Sequence, residues 1–198
     1  DILMHTMERY FNHSGSMEIT DGIAEALMQT VIRNAPIVML HPDDYNARAE
    51  IMWAGSLSHN GLTDCGCDHG DWATHKMEHE LGGLFDVAHG AGLAAIWGSW
   101  ARYVCDADYA RFARFATKVL NVAPQATDQE TALAGIAAME QFYRSIQMPT
   151  SLRELGVSPT EEQIQEMARK CILATKGPAG KVKPLQQNDV ENIYRAAL

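Results

Sequence analysis

Apolar side chains return every three or four positions along almost the whole chain, the period of an α-helix with one buried face. Ile23, Leu27, Thr30, Val31 and Asn34 share one such stripe, and Pro36 is expected to close or kink that run. Asp43 and Asp44 put acidic charge at the start of the next helix, which carries Met52 and Trp53 towards Leu57. A turn-rich stretch follows, Asn60-Gly61 and then Asp64-Cys65-Gly66-Cys67-Asp68-His69-Gly70. The pattern resumes at Asp71 in a helix carrying His75 and His79, weakened at Gly82-Gly83 and broken at Gly90-Ala91-Gly92. Further helices are expected over 93–104, 107–120, 127–146, 160–175 and 188–198. Two of them open on good N-terminal signals, Thr127-Asp128-Gln129-Glu130 and Ser158-Pro159-Thr160-Glu161. Strand-like alternation is missing. The pattern predicts an all-α, multi-helix domain over residues 1–198, with Trp53, Trp97, Trp100, Phe112, Phe115, Phe142 and Tyr143 in its core.

Composition narrows the function classes. A net charge of −9 argues against a nucleic-acid partner, because phosphate is repelled by an acidic surface. No apolar run reaches the length of a membrane span, and residues 1–13 lack the zones of a secretory leader. Four cysteines, irregularly placed, do not make a disulfide framework, so a cytoplasmic setting is expected. The chain opens at Asp1 without a Met, inside a segment that already reads as helix interior. That start reads as a piece of a longer protein.

The candidate chemistry lies in the histidines. Asp1 with His5, and His75 with His79, are spaced i and i+4 and so share a helix face. Each pair could present two ligand atoms to Fe²⁺ or Zn²⁺, or could be a solvated surface pair. His89 lies fourteen residues past His75, about 21 Å along a straight helix. The two could share an ion only if the glycines between and beyond them let the chain turn back. His75-Lys76-Met77-Glu78-His79 also matches the His-x-x-Glu-His pattern of a zinc metallopeptidase, with Glu154 or Glu161 as the distal carboxylate. A non-catalytic helical scaffold or dimerisation module is the other alternative. Cys65-Gly-Cys67-Asp-His69 offers three soft ligands but no partner motif, and reads as a loop with two ordinary thiols.

The stretch Gly70-Asp71-Trp72-Ala73-Thr74-His75-Lys76-Met77-Glu78-His79-Glu80-Leu81, continued by Asp86-Val87-Ala88-His89-Gly90-Ala91-Gly92-Leu93-Ala94, resembles the signature of iron-containing alcohol dehydrogenases, in particular their butanol dehydrogenase branch. Asp1-Ile-Leu-Met-His5 is similar to that family's other metal segment. The resemblance implies the C-terminal helical half of a dehydroquinate synthase-like fold. It further implies a metal held by Asp1, His5, His75 and His89, with His79 beside nicotinamide and substrate rather than on the metal. The implied reaction is hydride transfer between NAD(P) and a primary alcohol or aldehyde, in a homodimer. The N-terminal nucleotide-binding domain that the family carries is absent from this chain, which has no Gly-x-Gly-x-x-Gly after a strand; His89-Gly90-Ala91-Gly92 lacks that strand and does not read as a phosphate loop. The resemblance therefore implies an oxidoreductase whose helical portion is inert alone. A start at Asp1 is also expected to weaken the metal site, since termini fray. The Cys65–His69 stretch departs from the family pattern, which is usually Gly- and Arg-rich there.

Overall fold

A computed structural model describes residues 1–12 and 15–198. Among these residues the chain forms nine α-helices and no β-strand; one isolated antiparallel bridge joins Ala179 to Leu185. The helices are α1 (Ile2–Tyr10), α2 (Glu18–Leu40), α3 (Tyr45–His59), α4 (Ala73–Phe85), α5 (His89–Val104), α6 (Tyr109–Val119), α7 (Asp128–Ser145), α8 (Glu161–Thr175) and α9 (Gln187–Ala196). None is long and apolar enough to cross a membrane.

The aromatic centre of the core lies where α1, α5, α6 and α7 meet. Phe11 stacks on Phe112 with ring centroids 4.3 Å apart, and Trp97, Trp100, Phe115 and Tyr143 are buried around them. Arg111 fixes the end of α1 against α2 and α6: its guanidinium donates to the Tyr10 carbonyl and to both oxygens of Asp21. Such a bidentate, largely buried pair gives direction as well as energy. The N-termini of α7 and α8 carry full capping boxes, Thr127 with Glu130 and Thr160 with Gln163.

Three expectations need correction. Trp53 is 61% exposed, not core. The buried stripe of α3 runs through Ala47, Ala54 and Ser58, small residues that let α3 lie close to its neighbours, and Trp53 stands off that stripe. Helix α2 continues past Pro36 to Leu40, so the proline does not end it. Gly90, Ala91 and Gly92 are not a break but the first turn of α5. The break is Asp86–Ala88, where Asp86 takes the left-handed conformation at φ 52°. The reason is spatial: a Cβ on Gly92 would lie 2.7 Å from Glu78 Oε1, so this glycine makes room rather than freedom.

Gly70 is the hinge that places α4. It has φ +74°, and a Cβ there would sit 2.2 Å from the Glu8 carbonyl oxygen. Only glycine allows the loop to touch α1, where the Asp71 N–H donates to Glu8 O at 2.8 Å. Asp71 then accepts from the backbone N–H groups of Ala73, Lys181 and Val182, tying the start of α4 to the segment before α9.

Candidate metal centre

Helix α1 presents Asp1 and His5 on one face, α4 presents His75, and the reversal at Asp86–Ala88 returns the chain so that His89 opens α5 beside them. Asp1 Oδ1 lies 3.6 Å from His5 Nε2, 3.5 Å from His75 Nε2 and 3.6 Å from His89 Nε2. Four ligand atoms bound tetrahedrally at about 2.1 Å stand about 3.4 Å from one another. The three contacts radiating from Asp1 match that edge length. Asp1, His75 and His89 form one three-residue group able to hold an ion; Asp1, His5 and His59 form another.

Buried carboxylates hold two of the imidazoles. Glu8, 2% exposed, accepts from His75 Nδ1 at 3.0 Å and from the His75 backbone N–H at 3.1 Å. A carboxylate only accepts, so the proton sits on Nδ1 and the Nε2 lone pair points at Asp1. Glu78, also buried, accepts from His89 Nδ1 in a short contact and leaves His89 Nε2 free in the same way. His75 Nε2 is buried without a hydrogen-bond partner among the described residues. An orphaned lone pair on a buried imidazole costs free energy unless something electrophilic meets it, and a divalent cation does so. The donor set of Asp1, His75 and His89, with His5 beside the same Asp1 oxygen, therefore fits the metal that the resemblance implies.

Burial, helped by His75, His59 and Arg9, pushes His5 down to about 3. Burial also lowers His79, with His89, His75 and Lys76 acting in the same direction. Burial raises Glu78, against the pull of His89. Trp72 packs edge-on against His5 and His75, with centroids 5.2 Å and 5.0 Å away, and walls one side of the cluster.

The structure brings Asp1, His5, His75 and His89 together and leaves His79 outside that ring. His79 is exposed, stacked on His89 at 5.6 Å and 6.2 Å from His75 by ring centroid. No ion-holding group among the described residues contains both His75 and His79, and Glu78 is engaged by His89. The peptidase reading thus loses its ligand pair and its base. Glu154 accepts from Thr150 and Glu161 is paired with Arg195, and neither joins a cluster. Cys67 donates to Asp64 and His69 faces the same carboxylate; Cys65, Cys67 and His69 are in none of the ion-holding groups.

Sequence reasoning missed Glu8 as a partner of His75, Glu78 as a partner of His89, and His59 altogether. Glu8 carries a weak signal, standing seven residues from Asp1 on the same helix face. Nothing local points from His59 to Asp1.

The sequence matches the family described as Fe-containing alcohol dehydrogenase family, C-terminal, over residues 1–198. It is 35% identical over 196 residues to NADH-dependent butanol dehydrogenase A of Clostridium acetobutylicum, covering 98% of this chain and 50% of that one. It is 32% identical over 157 residues to the NADPH-dependent aldehyde reductase YqhD of Escherichia coli, covering 79% of this chain and 40% of that one. The crystal structure of NADH-dependent butanol dehydrogenase A from Thermotoga maritima superposes with TM-score 0.91 at 34% identity, over 100% of this chain and 50% of the other. The chain spans about half the length of these butanol dehydrogenases.

Proposed function

The chain belongs to the Fe-containing alcohol dehydrogenase family as its C-terminal helical part, and from that premise we propose that it is the metal-binding half of an NAD(P)-dependent alcohol dehydrogenase or aldehyde reductase. The convergence of His5, His75 and His89 on Asp1 Oδ1 carries this reading. Asp1, His5, His75 and His89 would hold Fe²⁺ or Zn²⁺, with Glu8 and Glu78 fixing the tautomers of two of the imidazoles. A bound cation of this kind supplies Lewis acidity, lowering the pKa of an alcohol hydroxyl or polarising an aldehyde carbonyl.

The remaining parts would fall to side chains of this chain and to the half of its relatives that it does not span. His79 stands next to His89 on the open side of the cluster, exposed and largely neutral, where its ring can pass a proton to or from the substrate oxygen. Trp72 shields one side of the site from water. A bound nicotinamide would give hydride to, or take it from, the carbinol carbon. The α/β domain that relatives of double length accommodate would hold the dinucleotide, and a homodimer is the expected assembly. Joining the chain to the N-terminal half of a butanol dehydrogenase tests the reading. The chimera is expected to oxidise NADH or NADPH with butyraldehyde only when loaded with metal, and His75→Ala to lose at least about 100-fold of that rate. A metal-loaded, folded chimera with no such turnover, or one indifferent to His75→Ala, contradicts it.

A further inference from the structure

His59, the last residue of α3, plays no part in the reaction above, yet it behaves as a metal ligand does. Its Nδ1 is 3.1 Å from the Gly55 carbonyl, an atom that only accepts, so Nδ1 carries the proton. Ser58 Oγ is 2.7 Å from the same nitrogen and can accept from it, because the Ser58 hydroxyl proton is directed to Gly55 O at 2.9 Å. A backbone carbonyl on Nδ1 is the arrangement that leaves Nε2 as the ligating nitrogen of a metal-bound histidine. That bare Nε2 faces Asp1 Oδ2 across 3.4 Å. Two electron-rich atoms at that distance repel unless a proton or a metal cation lies between them. The His59 ring also lies 3.9 Å from the His5 ring by centroid. Asp1 thus turns one carboxylate oxygen to His5, His75 and His89, and the other to His59.

We infer that Asp1, His5 and His59 form a second cation position, overlapping the first through Asp1 and His5 and lying at its solvent edge. The His59 side chain is 43% exposed while that of His75 is 4% exposed, so the second position is the one an arriving ion meets. Shared ligands mean that the two positions are used in turn, with the outer one handing its ion inward. The inference rests on the metal-binding reading of this centre, and its chemistry is that of a divalent ion accepting nitrogen and carboxylate ligands.

Disabling the inner position isolates the outer one. Co²⁺, followed by its visible absorption and by calorimetry, should still bind the metal-free His75→Ala chain at one equivalent. Adding His59→Ala, or His59→Phe, which keeps a ring against His5, should weaken that binding at least about tenfold. His89→Ala supplies a second background should His75→Ala not fold, and circular dichroism of the metal-free variants checks folding. Identical Co²⁺ binding with and without His59 in a folded background overturns the second position. If the wild-type chain and His75→Ala bind Co²⁺ with the same affinity and spectrum, it is instead the inner centre that fails.

Discussion

Glu8 and Glu78 sit behind the imidazoles that face Asp1, and each is buried to within 2% of full exclusion. A carboxylate on Nδ1 orients the ring and raises the basicity of the opposite nitrogen. Glu8→Gln keeps an acceptor for His75 Nδ1 but removes the charge. It is expected to weaken Co²⁺ or Zn²⁺ binding by about ten- to a hundredfold while the helical signal persists; unaltered affinity by calorimetry would remove Glu8 from the centre. Asp71 is the other buried carboxylate of consequence. Burial and the nearby Glu8 push it up to about 6, despite three backbone N–H donors. Its folded-state pKa is above the ordinary value, so the fold favours the protonated form. That contribution is full below about pH 4 and is lost as pH rises through 6, by on the order of 3 kcal/mol. The difference in urea midpoint between wild type and Asp71→Asn should therefore change between pH 4 and pH 7 and be level above it. A constant difference across that range would show that Asp71 titrates normally.

At the scale of elements, the placement of α5 on α4 depends on a carboxylate fitting against a glycine. Glu78 Oε1 occupies the space a Cβ on Gly92 would take, 2.7 Å away. Gly92→Ala is expected to cost about 1–3 kcal/mol, the range for overpacking a close contact. The cost should shrink when Glu78 is also changed to Ala; equal costs in both backgrounds, measured by chemical denaturation, would deny the coupling. This pair also explains what could be read in advance. Helices α7 and α8 were legible to within a residue because their capping boxes are local signals. Gly90 and Gly92 suggested a break because a glycine that makes space looks, in sequence, like one that makes a turn. Trp53 misled for the opposite reason. Its size suggests a core, whereas the small residues Ala47, Ala54 and Ser58 form the face of α3 that packs.

Across the whole molecule, the all-α character was plain from periodicity, while the metal centre was not. His75 and His89 stand about 21 Å apart along an unbroken helix, yet their ring centroids are 5.3 Å apart in the fold. Only the reversal at Asp86–Ala88, a tertiary event, closes that gap. The i,i+4 rule pairs His75 with His79, which is exposed and shares no ion-holding group with it. The chain spans about half of the butanol dehydrogenases it matches, and the proposed reading assigns the nicotinamide to the half it does not span. Loaded with Fe²⁺ or Zn²⁺ and supplied with NADH and butyraldehyde, the chain alone is expected to show no turnover above background by absorbance at the nicotinamide band. Steady turnover by the isolated chain would contradict the division of labour proposed here.

The measurement that bears most directly on the metal centre is anomalous scattering from a crystal of the chain soaked with Zn²⁺ or grown with Fe²⁺. The account predicts a principal peak about 2.0–2.2 Å from Asp1 Oδ1 and from Nε2 of His5, His75 and His89. A fully loaded crystal with its principal peak elsewhere, and with those four groups turned away from any ion, would contradict it.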